Sequence, residues 1–376
     1  MTMNPNRSTA PCARGARVLT LLAALAISAR ALGAAYYVSP AGKDTNPATR
    51  EAPWSLDKAN SIANAGDTVV LLDGNYDTPI APANSGGTHA PIRFNALNAG
   101  KAIFGGGAFE KREAIVLSGR SNIVIDSITV NGAKRFIFAE GESTHHITVQ
   151  NCRFDNASQV SFESCRFRNV GDGIEVIDCR IAGGNDLLAI TGGKNHHVEG
   201  NFFGDASHTG LALIMVQRSV VRDNHFTNSQ GKMMEVFNTR DVKEPHRLAE
   251  YNLIEGNWFD TGAGEGVQYA GSRSIVRKNV FRRCRIGMQW ANYLGSAKTP
   301  EAWYGESNRF YNNVLFECGP AAASGASHIS AGGADKASAS GAGKVSGAGA
   351  AVEFQTNRVP PSHYGDQLSI NNIIAG

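Results

Sequence analysis

The sequence predicts an all-β fold: a right-handed parallel β-helix of three sheets with a short N-terminal capping helix. Three observations predict it. A unit made of an apolar strand, two polar residues and Asn-x-Phe recurs in "HVEGNFF", "VVRDNHF", "LIEGNWF" and "IVRKNVF". Its asparagines, Asn201, Asn224, Asn257 and Asn279, stand 23, 33 and 22 residues apart. No unit has two faces of its own to bury, so each needs an equivalent unit above and below it, which is the logic of a solenoid. The 42 glycines, with many Asn and β-branched residues, favour tight turns and short strands over helices. A propeller would need a repeat of about 40 residues or more, and a leucine-rich repeat would need a leucine framework that is absent.

Residues 1–35 read as a signal peptide. Arg7, Arg14 and Arg17 lead into "VLTLLAALAIS" (Val18 to Ser28), and "ALGAA" offers small residues for cleavage near Ala34 or Ala35. The apolar run is too short to span a bilayer, and no later run is long enough. The expectation is a secreted or periplasmic protein with no membrane span after cleavage, its single β-helix domain covering 36–376. The leader holds four of the 36 basic residues, leaving 32 against 33 acidic ones. That balance gives no reason to expect nucleic acid as a partner.

The remaining elements follow in order. "SLDKANSIANAGDT" offers Ser55 as N-cap, with Leu56, Ala59, Ile62 and Ala63 on one helical face, a cap for an otherwise open solenoid end. "TVVLLDGNY" starts the first coil. Coils of 22 or 23 residues fit three sheets, and a repeated Asn suits a turn because stacked amides can form a ladder and Asn tolerates left-handed geometry. "TVQNCRF", "FESCRF" and "VIDCRI" put Cys152, Cys165 and Cys179 at the Asn position, and Asn312 in "NNVLF" continues the series. Five cysteines remain once Cys12 leaves, and the odd number argues against a full disulfide framework. The first three read as a buried thiol column in which one bridge is allowed, and Cys284 with Cys318 as a second candidate pair. Two polar insertions (238–250 and 291–307) and an Ala/Gly/Ser-rich loop (319–351) interrupt the coils, and no C-terminal cap is recognisable.

The opening "YYVSPAGKDTNPATREAPWSLDKAN", then "GDTVVLLDGNY", "APIRFNALNAGKAIFGGG" and "SNIVIDSITVNG", resembles exported proteins of the pectate-lyase-like superfamily, the chondroitinase B and alginate lyase group in particular. The resemblance covers Tyr36 to about Gly132 well and the later coils in general style. It implies a carbohydrate-active protein, a polysaccharide lyase that cleaves uronic-acid polymers by β-elimination. Such a lyase neutralises the uronate carboxylate with Ca²⁺ or Arg while a base takes the adjacent proton. An acidic polysaccharide is the implied partner. The fold also hosts uronate C5-epimerases, glycoside hydrolases and non-catalytic glycan-binding or surface proteins, so function has to be argued from a site.

Aligning the strands after each Asn-x-Phe ("GIEV", "LLAI", "GLAL", "MMEV", "GVQY", "GMQW") sends one column outward: Glu175, Ala189, Ala212, Glu235, Gln268 and Gln289. A second column precedes it: Asp172, Asp186, Thr209, Lys232 and Glu265, with Asn185 and His208 alongside. Together they predict a shallow polar groove. Lys232 or His208 is the candidate base, with Arg240 or Arg247, or a metal at Asp186 and Glu235, neutralising the uronate. Asn185, Gln268 and Gln289 are candidate sugar-binding groups, and Trp303 and Tyr304 candidate stacking platforms. Asp205, Ser207 and His208 in "DASHTG" have the residue types of a hydrolytic triad. Packed into four positions with no strand–elbow–helix context, they read instead as a turn. Paired carboxylates for hydrolysis are less favoured, because no clustered "DD" motif is present.

Overall fold

Parallel strands stack coil upon coil, as the repeat predicts. The computed structural model describes residues 33–158, 163–238, 249–290, 307–319, 352–354 and 368–375. The leader, Arg240, Arg247, Trp303, Tyr304 and nearly all of the Ala/Gly/Ser-rich loop fall outside them. Strands join into a 12-stranded and a 16-stranded sheet, paired in parallel along both. Among the described residues no helix is long and apolar enough to cross a membrane.

The third predicted face lies within the larger sheet. Six strands show how: β1 (Glu163–Arg168), β2 (Arg180–Thr191), β3 (Phe202–Ile214), β4 (Lys232–Phe237), β5 (Trp258–Tyr269) and β6 (Val280–Trp290). The first half of β2 pairs with the first half of β3 on the second face, and its second half pairs with β1 and the end of β3 on the third. The corner is a bend within one strand. Gly183 (φ 69°) and Asp205 (φ 57°) take the left-handed conformation there, and the β2–β3 register shifts between Gly184 and Asp186. "DASHTG" is therefore the bend of a continuous 13-residue strand and not a turn between two strands.

Asparagine amides hold the coils in register. Asn224 donates through both its backbone N–H and its Nδ2 to Asn257 Oδ1, at 3.0 and 2.9 Å, and Asn257 donates likewise to Asn279 at 2.9 and 3.0 Å. The series continues to Asn313, not to Asn312 as the motif suggested. Asn312 occupies the left-handed position just before the ladder, which Asp223 and Lys278 fill in other coils. The tolerance of Asn for that geometry thus belongs to the preceding residue. Directly inside the ladder, Phe203, Phe226, Phe259 and Phe281 stack with ring centroids 4.7–4.8 Å apart, each contact worth about 0.5–1.5 kcal/mol beyond burial.

A second ladder, not anticipated from the sequence, runs before the strands of the first face. Backbone N–H groups of His196, Ser219, Asn252 and Ser274 donate in turn to the side chains of Ser219, Asn252, Ser274 and Asn308, at 2.9–3.1 Å.

Cys152 and Cys179 extend the first ladder, the Cys152 N–H lying 3.4 Å from Cys179 Sγ and the Cys179 N–H donating to Asn201 Oδ1 at 2.8 Å. Cys165 does not join them. It pairs with Leu188 and Ile137 on the third face, because "ESCRF" runs along a different face of the same sheet. All five described cysteines are free thiols, Cys284 and Cys318 included.

The N-terminal cap forms as expected. Helix α1 (Leu56–Ile62) begins at Ser55, whose side chain accepts from the Lys58 N–H at 3.1 Å, and Leu56, Ala59 and Ala63 are buried while Ile62 is half-buried.

Replacing Asn257 by Ala would orphan the buried Asn224 N–H, at about 1–3 kcal/mol, while the Asn224 amide keeps its bonds to the Val198 and Arg222 carbonyls. The expected loss is about 2 kcal/mol of stability, read from chemical denaturation. A loss below about 1 kcal/mol would show that the ladder does not hold the coils.

Candidate functional site

The third face carries the predicted outward column in the predicted register. Ala189, Ala212, Glu235, Gln268 and Gln289 align across β2 to β6. Glu175 is not part of it. That residue sits on the first face, paired with Thr148 and His197, and accepts from Thr148 Oγ1 at 2.8 Å. Arg166 of β1 takes its place beside Ala189. The alignment of "GIEV" failed because its apolar alternation is shared by first-face strands. Asp172 likewise belongs to another edge, where it pairs with Lys194 at 3.7 Å, and Glu163 stands beside Asp186 instead.

The column is not the floor of an open groove. Its five members from Ala189 to Gln289 are all buried. Gln268 Nε2 donates to Gln289 Oε1 within this strip. Asn185 accepts from Ser207 Oγ at 3.1 Å, so the serine of the supposed triad bonds to an amide across the coils and not to His208.

Four titratable groups meet at the corner. His208 Nδ1 lies 2.6 Å from Asp186 Oδ1. A carboxylate only accepts, so Nδ1 carries the hydrogen and Nε2 is left available. Lys232 Nζ donates to Glu235 Oε2 at 2.7 Å, and Thr209 Oγ1 donates to Glu235 Oε1 at 3.3 Å. The two pairs differ in access: the His208 side chain is 52% exposed, whereas Lys232 and Glu235 are 17% and 8% exposed. The hydrogen bond to Asp186 raises the His208 pKa above its ordinary 6.5 against the opposing effect of burial, and the charges of Asp186 and Glu235 add to the rise.

The metal expectation does not fit this donor set. Asp186 already accepts from His208 and Glu235 from Lys232, and among the described residues no three His, Cys, Asp or Glu side chains are placed to hold a metal ion. The adjacent His196 and His197 point apart, as strand alternation requires. His196 is a buried ladder member whose Nδ1 accepts from the Ile174 N–H at 3.1 Å, and burial lowers its pKa.

Sequence reasoning overlooked the charged groups of the neighbouring coils. Arg166 pairs with Glu140 at 2.7 Å and lies 3.7 Å from Glu163. Arg135 pairs with Glu113 at 3.1 Å, and Arg285 pairs with Glu265. The signal was available in "FESCRFR", had it been assigned to the third face.

This stack of coils, with a polar corner on its outer surface, defines a right-handed parallel β-helix. The chain belongs to the right-handed β-helix family, whose model matches residues 113–329, and a Pel9A-like right-handed β-helix model matches residues 36–180. Among solved structures it is similar to pectate lyase Pel9A at 17% identity, with a TM-score of 0.56 and 76% of each chain covered. It is also similar to the A-module of mannuronan C-5 epimerase AlgE4 from Azotobacter vinelandii, at 11% identity and a TM-score of 0.52 over 83% of this chain and 87% of that one. A GH136 lacto-N-biosidase from Eubacterium ramulus aligns at 14% identity and a TM-score of 0.51 over 91% of this chain and 68% of that one. At these identities the likeness is one of fold. A search of curated proteins finds no match.

The raised His208 pKa carries a sign. A group that binds its proton more tightly when folded adds stability below its unfolded pKa, and that stability is lost as pH rises through the folded value. An NMR titration should place the His208 midpoint above 6.5 and return it toward 6.5 in Asp186→Asn. The stability gap between the two proteins should then shrink as pH rises through the wild-type midpoint. A wild-type midpoint at or below 6.5 would contradict the assignment.

Proposed function

We propose that this protein is an exported polysaccharide lyase that cleaves an acidic, uronate-containing glycan by β-elimination, with His208 as the base. The single observation that carries the reading is the Asp186–His208 pair. An exposed imidazole is held by a carboxylate in the tautomer that leaves Nε2 free, directly beside the Lys232–Glu235 ion pair.

The steps balance without a further reagent. Neutral His208 Nε2 takes the proton from the carbon next to the uronate carboxylate. The electron pair forms the new carbon–carbon double bond, and the glycosidic carbon–oxygen bond breaks. The imidazolium returns its proton to the departing oxygen. Asp186 stabilises the imidazolium, as the orienting carboxylate of a triad does. Lys232, paired with Glu235 at 2.7 Å, is the cation assigned to face the uronate carboxylate as negative charge develops. Arg240 or Arg247 as a further cation, and Trp303, Tyr304 and Asn185 as sugar contacts, complete the proposal on sequence grounds, whereas the buried, mutually bonded Gln268 and Gln289 are not sugar contacts. Similar folds include a pectate lyase and a mannuronan C-5 epimerase, and both named reactions act on uronate polymers. An epimerase would share the first step and return the proton to the opposite face of the same carbon.

The burial of Ala189, Ala212, Gln268 and Gln289 favours a second reading, a non-catalytic glycan-binding β-helix, because a closed face offers a ligand little purchase beyond its polar corner. A panel of uronic-acid polymers, followed by absorbance of the unsaturated product with and without chelator, separates the two. The lyase reading expects absorbance to rise on at least one polymer, faster as pH climbs through the His208 midpoint. It also expects His208→Ala to lower the rate by at least about 100-fold, with a smaller loss in binding. Binding without product on every polymer would establish the second reading.

A further inference from the structure

A hollow of about 360 Å³ lies on the third face, N-terminal to the His208 corner, lined by Glu163, Arg166, Arg168, Asn169, Thr191, Ile214 and Met215. Its size falls within the range of about 300–1,000 Å³ usual for small-molecule sites. The wall contributed by β1 and the residue after it is polar and charged. The ends of β2 and β3 supply the Thr191 hydroxyl and, with Met215, an apolar surface.

The two guanidinium groups of the hollow are held differently. Arg166 is fixed by Glu140 and Glu163 and lies over the Phe138 ring with its Cζ 5.6 Å from the centroid. Its Nε is buried and makes no hydrogen bond among the described residues. Arg168, two residues on and on the same side of the strand, is exposed, and its guanidinium has no ion-pair partner among the described residues. A rigid, partly satisfied guanidinium beside an accessible one is an arrangement suited to a planar carboxylate, which two parallel N–H groups can grip. Asn169 and Thr191 offer groups for hydroxyls, and Ile214 with Met215 offers an apolar surface to the C–H face of a sugar ring.

We propose that this hollow is a subsite for one hexuronate unit, with Arg168 holding its carboxylate and Arg166 positioned by Glu140 and Glu163 to support it. The proposal rests on the reading that the ligand is an acidic glycan but not on catalysis. His208 lies on β3, two strand steps from β1 (about 10 Å at roughly 4.8 Å per step) and six residues before Ile214 of the hollow (about 20 Å at roughly 3.3 Å per residue). The unit bound here is therefore not the one whose proton His208 would take.

The test measures binding of hexuronate trimers (galacturonate, mannuronate and glucuronate) and of a neutral galactose trimer by calorimetry. It is done in a His208→Ala background, so that turnover cannot consume the ligand. Arg168→Gln should weaken binding of the preferred acidic trimer at least about tenfold. Arg180→Gln, which removes an equal charge from the second face, should leave it unchanged. Arg168 is exposed, so an unchanged melting temperature will confirm that the variant folds. Unaltered affinity in Arg168→Gln, equal affinity for the neutral trimer, or no binding of any acidic trimer would overturn the subsite. Failure of the lyase reading shows separately, as absence of unsaturated product from the wild-type protein while trimer binding persists.

Discussion

Everything in this molecule depends on satisfying buried backbone and amide groups between coils. Each turn of the solenoid brings a strand's end into the interior, where an unpaired N–H has no water to meet. The carboxamide of a ladder asparagine answers this by accepting from the coil before it and donating to the coil after it and to main-chain carbonyls. Because one side chain serves two coils, the ladder also sets their register. Once the asparagines align, the phenylalanines two positions on must stack, and they do so at 4.7–4.8 Å, the spacing of the strands themselves. Where cysteine replaces asparagine, at Cys152 and Cys179, the thiol accepts a longer contact and the stack continues.

That register builds the corner. Asp186, Thr209 and Lys232 are remote in sequence but occupy one column because their strands pair residue by residue. His208 reaches Asp186 across one coil, and Lys232 reaches Glu235 within its own strand. The two ion pairs have different burdens. The buried Lys232–Glu235 pair is costly to break, since either partner alone would be an uncompensated charge. The His208 side chain, by contrast, is 52% exposed.

The third face also shows how a solenoid separates its tasks. Its middle, from Ala189 to Gln289, is closed and holds the sheet, whereas its polar groups collect at the corner and in the hollow by Arg168. Small outward residues at 189 and 212 signalled room for a ligand in the alignment. In the folded chain that strip is buried.

The coil architecture was legible in the amino-acid order because a repeat repeats its physics. Asn201, Asn224, Asn257 and Asn279 announce the ladder, and the alternation in "LLAI", "GLAL", "MMEV" and "GVQY" sets the outward column correctly. The sequence also placed Asp186, His208, Lys232 and Glu235 on one face. It did not distinguish strands with the same alternation on different faces, which is why Glu175, Asp172 and Cys165 were assigned to the wrong columns. Nor did it reveal the second ladder, whose members alternate among His, Ser and Asn and share a function but no residue type. Pairing, access and protonation were decided by tertiary structure alone. Only the stacking of coils brings Asp186 to His208 and Glu140 to Arg166, because residues on successive strands meet through the turn-by-turn register and not through their distance along the chain.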